Sequence, residues 1–258
     1  MKISALSSGS SGNCFYVENE KNEKAVLIDC GISCRKIEER LQNIKRNAEK
    51  IKAIFITHEH SDHIRGIDVF ARKFNVPIYA PRKIAKSIFL CSDNGLINGI
   101  SNKETLKIAG MAISAFPKSH LSIDPVSYSI TDKNKKLSLI TDAGHCCKKI
   151  IENVSDADFL CLESNYDQKM LEEGFYPWPT KQWIKSDNGH LSNEQSASCV
   201  LEHANNKLKR LMLCHISQNN NTPEKALEIH SYFYKQREKF NPAISLSLKS
   251  SATPLFKV

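Results

Sequence analysis

No run of apolar residues in this 258-residue chain approaches the roughly 20 that a membrane-spanning helix needs. The opening stretch "MKISALSSGSSGN" turns polar too soon for the apolar core of a secretory signal. Membrane insertion and export are set aside on these grounds, and the chain is expected in the cytoplasm. A disulfide framework is also poorly supported. Nine cysteines are an odd number at irregular spacings, and neither Cys30 with Cys34 nor the adjacent Cys146 and Cys147 has the matching second pair of a structural zinc site. They read as reduced thiols, most of them small buried hydrophobes. Repeats, linkers and low-complexity tracts are missing too, so residues 1–258 are expected to form one domain. With 41% hydrophobic and 25% charged residues the chain is neither fibrous nor disordered. Its net charge of +8 and short basic groups such as "NIKRNAEKIK" and "KLKR" fit a polyanionic partner, or equally a set of scattered solvated faces.

What is present alternates short apolar runs with amphipathic segments. "KISALSS", "NCFYVE", "KAVLIDC" and "AIFIT" read as strands, with a helix from Ser33 to about Asn47 and another from Asp62 to Phe74 whose apolar side carries Ile64, Ile67, Val69 and Phe70. "VPIYA" and a helix through Ile88 follow, then strands at "ETLKIAG", "MAISAFP", "PVSYSIT" and "LSLITDAG". In the last third, "ADFLCLES", "KRLMLCHIS" and "AISLSL" are separated by helical stretches around 167–174, 180–186, 193–206 and 223–238. This is an α/β chain with helices on the outer faces of a pair of sheets.

One heptapeptide, "THEHSDH" at 57–63, gathers three of the nine histidines and two carboxylates directly after an apolar strand. His58 and His60, two residues apart at a strand end, project to the same side and can reach one metal. Asp62 and His63 then open a helix, so their side chains diverge from that pair and can hold a second metal beside the first. The strand before and the helix after are the context that such a spacing needs.

With this H-x-H-x-D-H motif the sequence resembles the metallo-β-lactamase superfamily, which implies a four-layer αβ/βα sandwich with a metal site at one edge of two facing sheets. The resemblance implies a later His, an Asp and a last His at strand ends, and His120, Asp142 and His215 stand in that order, each bordering an apolar run. The implied set is then His58, His60 and His120 for one metal, Asp62, His63 and His215 for the other, with Asp142 bridging. The implied cofactors are two divalent ions, and all-N/O ligands admit zinc, manganese or iron. "SSGSSGNC", "THEHSDHIRG", "ITDAG", "LESN", "GHLSN" and "LCHIS" together look like the YycJ-type (WalJ-type) bacterial nucleases, from Ser7 to His215. That resemblance implies a phosphodiesterase acting on nucleic acid, most directly DNA, from the 5′ end, with Asp62 taking the proton of the attacking water. A thioesterase of the glyoxalase II type uses a similar ligand set and is the alternative.

Several other residues are candidates around this centre. The loop holding Ser10, Ser11 and Gly12 can offer backbone N–H groups to an anion, or be a flexible turn. "GHLSNEQ" has the capping-box pattern, with Ser192 as N-cap and Gln195 at N3, which sets His190 and Ser192 beside a helix N-terminus where phosphate binds well. In related β-CASP nucleases a Gly-His-x-Ser segment contacts the scissile phosphate, which implies that role for His190; an incidental histidine beside a cap is the competing reading. Glu163 resembles an acidic residue that orients His or water, though it also fits a buried structural carboxylate. Only 72 residues separate Asp142 from His215, too few for a large cap domain. In "YPWPTKQWIK", Trp178 and Trp183 read first as anchors of a helix to the core, with base stacking alongside Lys181 and Lys185 as the alternative. His145, His203 and His230 match no ligand position.

Overall fold

The computed structural model describes residues 1–102 and 104–258, and among them the strands form two seven-stranded sheets. The first contains β1 (Lys2–Ser7), β2 (Cys14–Glu18), β3 (Ala25–Ile28), β4 (Ile51–Phe55), β5 (Ile78–Pro81), β6 (Ile97–Ile100) and, at its far edge, β14 (Phe256–Lys257), in the order β14-β1-β2-β3-β4-β5-β6. The second contains β7 (Thr105–Ile108), β8 (Met111–Pro117), β9 (Val126–Asp132), β10 (Lys135–Ile140), β11 (Phe159–Glu163), β12 (Arg210–Cys214) and β13 (Ala243–Leu246), in the order β13-β12-β11-β10-β9-β8-β7. Each sheet is antiparallel in one half and parallel in the other. The parallel halves are β3-β4-β5-β6 and β10-β11-β12-β13.

The period-2 alternation of these strands builds three apolar layers. Phe15 and Val17 of β2, Val26 and Ile28 of β3, Leu137 and Leu139 of β10, and Phe159 and Cys161 of β11 meet between the sheets. Their alternate neighbours, such as Tyr16, Leu27 and Ile54, face α1 (Cys34–Asn43), α3 (Ile67–Phe74) and α4 (Arg82–Ser87) on one outer side. Leu160, Leu162, Leu211 and Leu213 face α5 (Lys148–Ser155), α8 (Asn193–His203) and α9 (Pro223–Tyr234) on the other. Strands buried on both faces read as continuous apolar runs, which is why "AIFI" and "LCL" show no alternation in the sequence. Seven of the nine cysteines are buried in these layers. No helix among the described residues is long and apolar enough to cross a membrane.

Two expectations about helices need correction. The helix from Asp62 to Phe74 is broken into α2 (Ser61–Ile64) and α3 at Gly66, whose N–H donates to the Cys30 carbonyl at 2.8 Å. A Cβ there would lie 2.0 Å from the Ile32 carbonyl oxygen, so close backbone packing decides the break. Val69 consequently leaves the apolar side and is 54% exposed. β6, α5 and β14 are additional elements, too short or too polar to stand out by periodicity.

Arg40 closes the structure around the site. From α1 it donates to the Leu6 carbonyl at 2.6 Å and the Lys249 carbonyl at 2.7 Å, tying the end of β1 to the C-terminal segment. Arg40→Met leaves both carbonyls without that donor and is expected to lower the unfolding free energy by about 3 kcal/mol. The check is a lower urea midpoint at unchanged slope. Arg40→Lys is expected to recover only part of it, because an ammonium lacks the planar fork that spans two acceptors.

Candidate metal centre

Side chains from both sheets converge at the carboxyl ends of their strands. Thr57 and His58 follow β4, His120 follows β8, Asp142 follows β10, Glu163 ends β11 and His215 follows β12. This is the edge at which open α/β sheets present their sites, because the parallel strands all release their chains there. Asp29, Asp142 and His215 leave their strands with φ of 61°, 53° and 53°, a left-handed conformation unusual for residues other than glycine. The chain accepts that strain at the three points where it must turn a polar side chain inward.

The donor atoms of His58, His60 and His120 lie within 4.8 Å of one another, and so do those of Asp62, His63 and His215. Asp142 stands between the two groups, with an oxygen 3.2 Å from His63 Nε2 and another 3.5 Å from His215 Nδ1 and 4.0 Å from His120 Nε2. All seven ligand candidates are thus brought together. A further group of Asp142, Glu163, His190 and His215 brings in two residues expected only beside the ligands.

Partners on the far side of each ring fix which nitrogen faces the centre. His63 Nδ1 lies 2.7 Å from Asp29 Oδ2, His120 Nδ1 lies 3.1 Å from the Gly189 carbonyl, and His190 Nδ1 lies 2.7 Å from Glu163 Oε1, so each ring donates outward and keeps Nε2 for the pocket. Thr57 spends its hydroxyl proton on Asp29 and accepts from His58 Nδ1 at 2.9 Å. His58 Nε2 then faces His60 Nδ1 at 3.1 Å, and His60 Nδ1 faces His120 Nε2 at 3.4 Å. At most one proton, on His60 Nδ1, can lie among these three nitrogens, and the lone pairs left over are available to a cation. Asp142 Oδ2 and His215 Nε2 are buried without a hydrogen-bond partner. This donor chemistry fits divalent metal.

Electrostatics divides the rings into two kinds. Burial pulls His58 well below its ordinary pKa and His120 down to about 4, leaving neutral donors. Burial also opposes charging of His63, but Asp29 and Asp142 outweigh it and raise the ring well above the usual value. His215 is raised to about 10 in the same way, against burial, by Asp142, Asp62 and Glu163. Burial resists ionisation of Asp142 and Glu163, yet the neighbouring imidazoles hold Asp142 well below the carboxylate range and Glu163 at about 2.

The Gly/Ser loop does something other than expected. Asn13 N donates to the Asp62 carbonyl at 2.7 Å, Asn13 Nδ2 reaches Asp62 Oδ2 at 3.1 Å and His63 Nε2 at 3.0 Å, and Ser8 Oγ accepts from His215 N at 2.8 Å. The Gly12 N–H is spent on the Gly9 carbonyl, and of Ser10, Ser11 and Gly12 only Ser10 borders the cavity. The loop therefore cradles Asp62, His63 and His215. It fits because Gly31 lacks a side chain: a Cβ there would lie 1.6 Å from the Asp62 carbonyl oxygen. Ser192 is also corrected. It is fully buried, with its hydroxyl accepting from Gln195 N and its own N–H bound to Gln195 Oε1, so it caps α8 and does not reach the cavity. Of the unassigned histidines, His230 is a core residue between Ser164 and Tyr234.

Residues that the sequence left unmarked do much of this holding. Asp29, Asn13, Thr57 and Asn165, which bonds the His215 ring at 3.2 Å, surround the ligands. Lys118 is buried behind them, its Nζ 2.6 Å from the Thr141 carbonyl. Asp29 had a legible signal, since "AVLIDC" ends an apolar strand in an aspartate as "LSLITDAG" does.

Residues 24–216 match the family described as Beta-lactamase superfamily domain, and the chain belongs to it. Its fold is the metallo-β-lactamase fold. Over 100% of the chain and 98% of the relative, it is 35% identical to "Exodeoxyribonuclease WalJ" of Streptococcus pneumoniae serotype 2 (strain D39 / NCTC 7466). It is 34% identical to "Exodeoxyribonuclease YycJ" of Bacillus anthracis over 88% of this chain and 86% of that one. Among solved structures, the metallo-beta-lactamase fold protein YhfI from Bacillus subtilis superposes with a TM-score of 0.70 at 15% identity, covering 98% of both chains.

The Asp29–His63 bond yields a direct test. Asp29→Asn keeps the size of the side chain, but its amide NH₂ facing His63 Nδ1 drives the ring proton to Nε2, the nitrogen needed toward Asp62 and Asp142. Affinity for divalent zinc or manganese is expected to fall about 10–100-fold, measured by calorimetry, with the far-UV circular dichroism unchanged.

Proposed function

We propose that the protein is a metal-dependent phosphodiesterase that trims nucleic acid, most directly DNA, from the 5′ end, in the cytoplasm and as one domain. The observation that carries this reading is the match of the chain over its whole length to proteins named as exodeoxyribonucleases. A buried all-N/O donor set and a net charge of +8, which favours encounter with a polyanion, support it.

In this reading His58, His60 and His120 would hold one divalent ion and Asp62, His63 and His215 the other, with the Asp142 carboxylate available to both. Bound there, such ions supply a water activated toward a pKa of about 7 and neutralise charge on the phosphoryl oxygens. The chain's own residues do the rest. Asp62, its Oδ2 held by Asn13, accepts the proton of the attacking water. Glu163 stays an anion and fixes the His190 ring through Nδ1, so that its Nε2 edge is turned toward a phosphoryl oxygen as charge builds there. The backbone seats this ring firmly, since His190 N donates to the Ile184 carbonyl at 2.9 Å.

His190→Ala is expected to keep the metal content while lowering kcat by ~10²-fold or more, the scale for one lost charge-stabilising donor. Loss of metal in this variant would make His190 a ligand instead, and unchanged kinetics would remove it from the chemistry.

The substrate is tested by offering the metal-loaded protein end-labelled DNA and RNA beside a bis-aryl phosphodiester and a glutathione thioester. DNA shortened from the 5′ end is expected, with log K for binding falling by roughly 0.7–0.9 per phosphate contact for each unit of log[salt]. Efficient thioester hydrolysis with no cleavage of nucleic acid would instead establish the glyoxalase II chemistry.

A further inference from the structure

The mouth of the metal centre is a cavity of about 240 Å³ with an aromatic wall. Tyr176 and Trp183 line it together with Thr180, across from His60 and His120. The Trp183 ring stands perpendicular to that of His190, centroids 5.5 Å apart, and Phe175 packs edge-on against Tyr176 at 4.8 Å. Trp183 is 37% exposed, Trp178 72% and Phe175 75%.

The two tryptophans are not what chiefly seats the helix that carries them, contrary to the first reading of the sequence. α7 (Trp178–Lys185) is seated by Ile184, which packs with Tyr166 and Leu171 in a small cluster of their own. It is also tied to α6 (Gln168–Glu173) by Lys185 and Lys181, which reach the Glu172 carboxylate and carbonyl at 2.7 Å each. With the helix held by other means, the part of the Trp183 ring left open to water at this mouth is free to meet a substrate. A flat apolar ring 5.5 Å from that of His190 matches the face of a nucleobase, whereas a thioester acyl chain presents no such face.

Resting on the phosphodiesterase reading, we infer that Trp183 is a positioning residue that stacks on the terminal nucleobase next to the scissile phosphate. A base inside a duplex has both faces covered by its neighbours and cannot take this place. The polar side of the cavity, with Ser10, Ser217 and Asn220, leaves room for the sugar and phosphate.

The test crosses a change in the protein with a change in the substrate. Wild type, Trp183→Ala and Trp183→Phe are assayed on a single strand with a normal terminal nucleotide and on the same strand made abasic there. Trp183→Ala is expected to raise KM on the normal strand about tenfold or more, with a smaller effect on kcat, and to show little of that loss on the abasic strand. Trp183→Phe is expected to retain most of the wild-type KM. Equal losses on both strands would make Trp183 a mere support for His190 and overturn the inference, as would an unchanged KM on the normal strand. Should wild type cleave no nucleic acid, the phosphodiesterase reading fails by itself. The contact is then decided by emission in the turnover-deficient Asp142→Ala, Trp178→Phe protein, where Trp183 is the sole tryptophan. Quenching by a short single strand, weaker when the strand is abasic, supports the contact, and no quenching overturns it.

Discussion

The lone pairs of His58 and His120 converge on His60 Nδ1 at 3.1 and 3.4 Å with at most one proton among the three nitrogens, and the carboxylates of Asp62, Asp142 and Glu163 beside them repel one another. A fold that gathers such groups must oppose that repulsion with something stiffer than the side chains themselves. Here the opposing force is distributed. It lies in the strand ends twisted into left-handed conformation at Asp29, Asp142 and His215, each costing on the order of 1–3 kcal/mol. It lies also in the acceptors behind the rings of His58, His63, His120 and His190 and in the buried ammonium of Lys118, whose burial works against its charge while Asp142 and Asp29 favour it. The two apolar layers outside the sheets and the one between them make those strand ends rigid enough to bear the load.

Much of this was legible before any coordinates. A metal ligand needs a particular atom type, and the spacing in "THEHSDH" marks His58, His60, Asp62 and His63 as candidates, while His120, Asp142 and His215 were picked out by the ligand order that the resemblance implies. The sandwich was legible for a similar reason, since long apolar strands alternating with amphipathic helices leave few ways to bury both faces of a sheet. What stayed hidden are the groups that act through position alone. Thr57, Asn13 and the Gly189 carbonyl have no distinctive chemistry, and their importance comes from contacts across many residues of sequence, such as the 49 between Asn13 and Asp62.

Where the sequence misled, it did so by local plausibility. "SSGSSGN" has the composition of an anion-binding turn, but the N–H groups of Gly9, Gly12 and Asn13 are spent on Asn13 Oδ1 and on the Gly9 and Asp62 carbonyls. "GHLSNEQ" reads as a helix N-terminus open to phosphate, yet the capping box that makes it recognisable also uses up the Ser192 hydroxyl and N–H. A strong local motif satisfies itself, so its donors are the ones least free for a ligand.

The same logic explains where the substrate-facing surface lies. Residues committed to the centre sit on strands within the large cores, while α7 rests on a cluster of three buried side chains apart from them. The two parts meet at one junction. The Gly189 carbonyl accepts from the His120 ring, His190 N donates to the Ile184 carbonyl, and Gly189 N donates to that of Ser186, so the end of α7 is bonded to both His120 and His190. The ring of Trp183, one residue from Ile184, is thereby held in fixed relation to the reacting atoms without contributing to the core. Side chains on the outward faces of α7 can therefore change with little cost to metal binding, whereas a change that shifts its backbone near Ile184 displaces His120 and His190 together.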